Sequence, residues 1–164
     1  MSFKKVSASV TRPNDTTQYA ANDVWANGTP AALSFANVVR ANDGSNKIVQ
    51  ATLVDSANQS TKGQFDLWLF HTAPALDADN AAFTPTDAEL ANLVGIIRFD
   101  TGIDGDATSG AGGNAVYFGK AVNGFQEVPI RTKVASRTLY GVVVVKNAYT
   151  PVAQEVLTFT LWVD

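Results

Sequence analysis

The stretch Gln64–Phe99, QFDLWLFHTAPALDADNAAFTPTDAELANLVGIIRF, sets the expectations for the whole chain. Its first eight residues alternate. Phe65, Leu67, Leu69 and His71 fall on one side of an extended backbone. Gln64, Asp66, Trp68 and Phe70 fall on the other, because successive strand side chains point to opposite faces. Both sides are largely apolar, which predicts a strand covered on both faces, either central in a sheet or in an interface. Further on, Thr84-Pro85-Thr86-Asp87 predicts a helix start. Thr84 caps, Pro85 takes the first helical position, where its missing N–H is not needed, and Asp87 meets the positive helix end. Leu90, Leu93 and Val94 give a short helix near residues 85–93 an apolar stripe. Gly95 ends it, and Ile96, Ile97 and Phe99 begin another strand.

Upstream, Lys5–Arg12 alternates, with Val6, Ala8 and Val10 on one face, as a half-buried strand at a sheet edge would. Trp25–Pro30 reads as a loop with a turn at Asn27-Gly28, and Leu33–Phe35 as a short strand. Lys47–Asp55 reads as a long strand with Ile48 and Val54 on one face and Val49, Ala51 and Leu53 on the other. The polar turn Ser56–Gly63 leads directly into Gln64–His71, which predicts an antiparallel hairpin.

Downstream, Asp100–Asn114 is rich in Gly, Asp, Ser and Thr and reads as a surface loop. Strands are expected at Ala115–Gly119, Phe125–Arg131, Arg137–Lys146 and Glu155–Val163. In the last of these Leu157, Phe159, Leu161 and Val163 form a wholly apolar face that belongs in the core. The pattern amounts to roughly eight to ten short strands and one helix in a single domain, 1–164. That is an all-β, jelly-roll-like β-sandwich.

Of the 164 residues, 46% are hydrophobic and only 16% charged, against about 25% in an average soluble domain. The formal net charge is −3 and the longest basic cluster is Lys4-Lys5. Nucleic-acid binding needs clustered Lys and Arg to displace counterions, so no nucleic-acid partner is expected. Without cysteine there are neither disulfides nor thiolate metal sites. No secretory signal follows Met1 and no apolar run is long enough to span a membrane, so synthesis in a cytoplasm is expected.

No catalytic motif is present: no GxSxG, no HExxH and no phosphate-binding glycine loop. His71, the one histidine, reads as a strand-end residue bonded to a loop rather than a base or ligand, because no nucleophile or further ligand accompanies it. Asp66 is the one acid on an apolar strand face and reads as a hydrogen-bonded acid, since no second carboxylate can be assigned to it. Two acidic groups, Asp77/Asp79/Asn80 and Asp100/Asp104/Asp106, offer oxygen ligands of the kind calcium takes, but the second lacks the closing bidentate glutamate of a calcium loop, and a solvated loop is the expected reading. The expectation is no enzyme, no metal and no cofactor. Trp25, Trp68 and Trp162 are either core fillers or anchors of an interface, where Trp supplies much of the binding energy. Trp25 falls in the loop region, which suits an interface. Trp68 and Trp162 lie opposite the more apolar faces of their strands, so they share a surface if those strands share a sheet.

Three runs, TRPNDTTQYAANDV (11–24), TKGQFDLWLF (61–70) and DNAAFTPTDAELANLVGII (79–97), resemble small virion proteins of tailed bacteriophages. The resemblance spans Val6 to the C-terminus. It implies a structural protein similar to capsid decoration (cement) proteins: a β-rich, jelly-roll-like homotrimer on the head, bound to the major capsid protein. A tail or baseplate protein and a carbohydrate-binding module are the alternative readings.

Overall fold

The computed structural model describes residues 3–100, 108–109 (backbone), 114–122, 127–133 and 135–164. Their order is β1 (Lys4–Thr11), β2 (Val24–Trp25), β3 (Leu33–Phe35), β4 (Ser45–Asp55), β5 (Phe65–Phe70), α1 (Asp87–Leu90), β6 (Leu93–Phe99), β7 (Thr108–Ser109), β8 (Ala115–Ala121), β9 (Val128–Arg131), β10 (Leu139–Val145) and β11 (Val156–Val163). The fold is all-β and sandwich-like, as the sequence predicts.

Every strand pairing is antiparallel, and the sheet curls through the order β1-β11-β4-β8-β6-β5-β10. β2 and β3 both pair with β10, β7 with β8 and β9 with β4. Two halves face each other, β1-β11-β4-β8 and β3-β10-β5-β6. The principal strands β1, β3, β4, β5, β6, β8, β10 and β11, numbered one to eight, stand in the orders 1-8-3-6 and 2-7-4-5. That is the strand order of a jelly roll.

The interior between the halves follows the alternation of the strands. Leu157, Phe159, Leu161 and Val163 of β11 are fully buried, together with Phe65, Leu67 and Leu69 of β5 and Val143 and Val145 of β10. The apolar opposite face of β5 also has an explanation. Phe70, Val142 and Val144 point out of the sandwich into a second cluster with Val24 and Ala26. The segment between β5 and β6 folds back over them, adding Leu76 and Phe83, and Leu93 at the start of β6 joins them beside Trp68.

Three local expectations are corrected. β4 and β5 do not form a hairpin: β4 pairs with β11, β8 and β9, and β5 with β10 and β6. The Ser56–Gly63 connection therefore crosses between the halves. Second, the faces of β4 exchange midway. Trp162 stands opposite Gln50 but Val163 opposite Ile48, so Val49 is an extra residue, a β-bulge. Ile48, Ala51 and Leu53 consequently share the interior and Val54 is exposed. Third, the helix is a single turn with no buried residue, capped by Thr86 rather than Thr84 through a reciprocal bond with Glu89. Leu93 and Val94 belong to β6, and Gly95 lies within that strand. A Cβ on Gly95 would stand 2.7 Å from Val128 Cγ1, so the close approach of the side chain from β9 favours glycine here.

Candidate functional site: the uncovered sheet face

The two halves of the sandwich differ on their outer sides. The β3-β10-β5-β6 half is roofed by the Phe83-bearing connection. Among the described residues, nothing comparable covers the β1-β11-β4-β8 half. Its outward residues are set by alternation and stand in register across the strands. Lys5, Trp162 and Gln50 form one row. Ser7, Thr160, Thr52 and Phe118 form the next, and Ser9, Thr158, Val54 and Val116 the third.

The face has two parts. Along β1 and β11 the hydroxyls pair, Ser7 Oγ with Thr160 Oγ1 and Ser9 Oγ with Thr158 Oγ1, each at 2.9 Å. These cross-strand pairs satisfy one another and stiffen the edge strand β1. Along β4 and β8 apolar side chains stand beside Gln50 and Thr52: Phe118 is 50% exposed and Val54 36%. Lys5 Nζ lies over the Trp162 ring, 5.6 Å from its centroid. No carboxylate stands on these outward positions. Such a face can bury apolar area against a partner and offer hydroxyls at its margin.

The three tryptophans part company. Trp162 stands on this face, half-buried. Trp68 lies on the outer side of the opposite half, beneath Phe83 with ring centroids 5.4 Å apart, so the two do not share a surface. Trp25 is not in a loop; it forms β2 and is 1% exposed, a core filler stacked on Tyr19 at 5.0 Å. The loop reading failed because a two-residue strand carries no alternation to detect.

The remaining candidates have structural partners. Asp66 accepts from Arg98 Nε and Nη2, both at 2.9 Å. His71 is half-buried and its Nδ1 lies 3.2 Å from Thr72 Oγ1. Asp79 accepts from Tyr19 Oη at 2.6 Å and Ala26 N at 2.8 Å, and lies 3.6 Å from Arg12 Nη2. Asp77 accepts from Thr84 N at 3.2 Å. Asp104 and Asp106 lie outside the described residues. Among the described residues no three His, Cys, Asp or Glu side chains gather as a metal site would require.

One polar group went unread in the sequence. Asp55 and Glu155, each 1% exposed, meet at one end of the sandwich. Burial, and then the charge of Glu155, pushes the Asp55 carboxyl up to about 8. Burial and these two carboxyls also push the Tyr117 and Tyr149 hydroxyls up. Asp55 is in phase with Ala51 and Leu53, and Glu155 with Leu157, so both positions point inward. An acid in an inward phase was the available signal.

No protein-family model matches the chain, and no curated protein is significantly similar to it.

Proposed function

We propose that this chain is a non-catalytic decoration protein of a tailed-bacteriophage head, docking on the outer capsid surface through the uncovered β1-β11-β4-β8 face. The observation that carries the reading is the asymmetry of the sandwich. One outer face is sealed by the chain's own Phe83 segment, whereas the other presents Phe118 and Val54 beside a Ser/Thr ladder. The resemblance of the 11–24, 61–70 and 79–97 runs to phage virion proteins points to the capsid as the partner. A jelly roll whose Asp66 and Asp79 are held by internal partners suits a protein that works by contact alone.

The mechanism is linkage. A protein that binds the expanded shell and bridges neighbouring major capsid proteins lowers the free energy of that shell. A homotrimer matches a threefold capsid position, since closed rings meet such symmetry without a free end. Phe118 and Val54 supply the apolar contact, and Trp162 extends it. No cofactor, nucleic acid or membrane takes part.

Co-sedimentation tests the reading. The purified protein is mixed with heads stripped of accessory proteins, with expanded empty shells and with tails. Saturable binding to heads and shells is expected. Binding to tails alone would move the protein to the tail or baseplate, and binding to none of them would remove the virion reading.

A further inference from the structure

We propose that Asp55 and Glu155 form a protonation-dependent latch that holds the 56–64 and 147–155 loops against one end of the jelly roll. Asp55 is the last residue of β4, opposite Leu157 of β11 and Ala115 of β8. Glu155 leads into β11 from the other loop. Asp55 Oδ1 accepts from Ala57 N at 2.8 Å, which turns the first loop. Glu155 Oε1 accepts from Tyr149 Oη at 2.7 Å and Oε2 from Val152 N at 2.8 Å, which folds the second loop around its own carboxylate. The two buried carboxyls lie close enough to interact at this end of the sandwich. Ionised carboxylates only accept, so the two can bond to each other only while one carries a proton.

Among the described residues, no neighbour bonds the pair in place of that proton. Tyr117 of β8 faces the pair, but its hydroxyl has no hydrogen-bond partner. Gln59 is neutral and is engaged with Tyr149 Oη and Thr150 O. Lys62 is the cation of the 56–64 loop, and its Nζ donates to Asn58 Oδ1. Arg12 reaches Glu155 only through its backbone N–H; its guanidinium is committed to Asp15 and Tyr19, with Asp79 alongside. Losing the proton leaves two negative charges facing each other out of water. The relief available is for the loops to swing out and hydrate them.

The latch is independent of the docking reading, so its test uses the free protein. Carbon-13 titration of the carboxyl groups in the full chain should find Asp55 still protonated at neutral pH. Amide exchange at Ala57 and Val152, corrected for intrinsic rates, should speed up about tenfold per pH unit between roughly pH 5 and 8 and then level off, because opening releases one proton in that window. Both amides should exchange faster than those of Leu53 and Phe159. Asp55→Asn keeps an acceptor for Ala57 and a donor for Glu155, and should abolish the slope. Titration of Asp55 together with exposed carboxylates would overturn the latch. So would a slope that survives in Asp55→Asn, or protection at Ala57 and Val152 equal to that of the strand amides at every pH. The wild-type titration needs no variant to fold.

Discussion

Arg98 grips Asp66 with both arms of its guanidinium across the β5–β6 register, Nε to Oδ1 and Nη2 to Oδ2, each at 2.9 Å. The Asp66 side chain is 4% exposed and that of Arg98 37%. Asp66 is therefore one half of a fork-to-fork pair at the edge of the outer apolar cluster, with solvent reaching the other half. Asp66→Ala should cost about 1–2 kcal/mol, since Arg98 is half in water and recovers part of its hydration. Urea denaturation measures it, and Arg98→Ala in the same background should add little.

The partner of Asp66 could not be named from the sequence, because a cross-strand pair is set by register, and register here depends on which strands meet. The alternation of β11 and of β5 was legible, since burial imposes a period of two on a straight strand. β4 was not, because the extra residue Val49 reverses the phase without any mark in composition. The Leu90–Val94 run satisfies a helical stripe and a strand equally. Pairing of Leu93 with Phe70 makes Leu93 and Val94 strand while Leu90 stays in the helical turn, a long-range contact that no local pattern contains. On the candidate face the sequence supplied Trp162; Phe118 and Val54 became visible only once β4 and β8 stood side by side.

Arg12 presents a harder case than Arg98. Its side chain is fully buried; Nε donates to Tyr19 Oη at 3.2 Å and Nη2 to Asp15 Oδ1 at 2.8 Å, and the guanidinium lies 5.8 Å from the Trp25 ring centroid. Arg12→Met preserves length but removes the cation beside Asp79, whose side chain is 10% exposed and keeps only its bonds from Tyr19 and Ala26. Removing one partner of a buried charged group costs about 3–5 kcal/mol. The expected result is a lowered denaturation midpoint with loss of the Trp25 fluorescence signature of the native state.

Gly141 lies in the inward phase of β10, between Leu139 and Val143. A Cβ there would stand 2.9 Å from both Leu67 Cδ1 and Phe35 Cε2. Both are core side chains with no exposed surface to retreat into. Gly141→Ala should destabilise by about 1–3 kcal/mol through overpacking. Thermal unfolding checks it, and Phe35→Leu combined with Gly141→Ala should recover part of the loss.

The acid pair gives global stability a defined pH dependence. The folded Asp55 carboxyl is raised from 3.8 to about 8, so in that window the unfolded chain has released a proton that the folded chain retains. Its stabilising contribution is full below about pH 4, falls as pH rises, and is spent above about pH 8. Other carboxylates act oppositely: the bonds Asp15 and Glu89 receive lower theirs, and they favour the fold as pH rises. The difference between wild type and Asp55→Asn isolates the pair. Urea denaturation of both proteins at pH 5, 6.5, 8 and 9 should find the wild type losing ground to the variant up to pH 8 and holding level beyond it.

Phe118 and Val54 allow binding to be separated from folding. Both are exposed and both flank Thr52 on the outer face, while their neighbours in sequence, Tyr117 and Leu53, fill the interior. Replacing the pair by aspartate removes the apolar contact and puts two charges where a partner must exclude water. An exposed apolar side chain adds little to the free protein, so the thermal midpoint of Phe118→Asp/Val54→Asp should stay close to wild type. Its affinity for stripped heads should fall at least about a hundredfold, because desolvating unpaired charge at the centre of an interface costs several kcal/mol. Trp68→Ala, placed beneath Phe83 on the roofed half, should do the reverse: the second apolar cluster loses a large side chain and stability drops, while head binding per folded molecule is retained. If the aspartate pair binds heads as tightly as wild type, contact with the capsid lies elsewhere on the molecule.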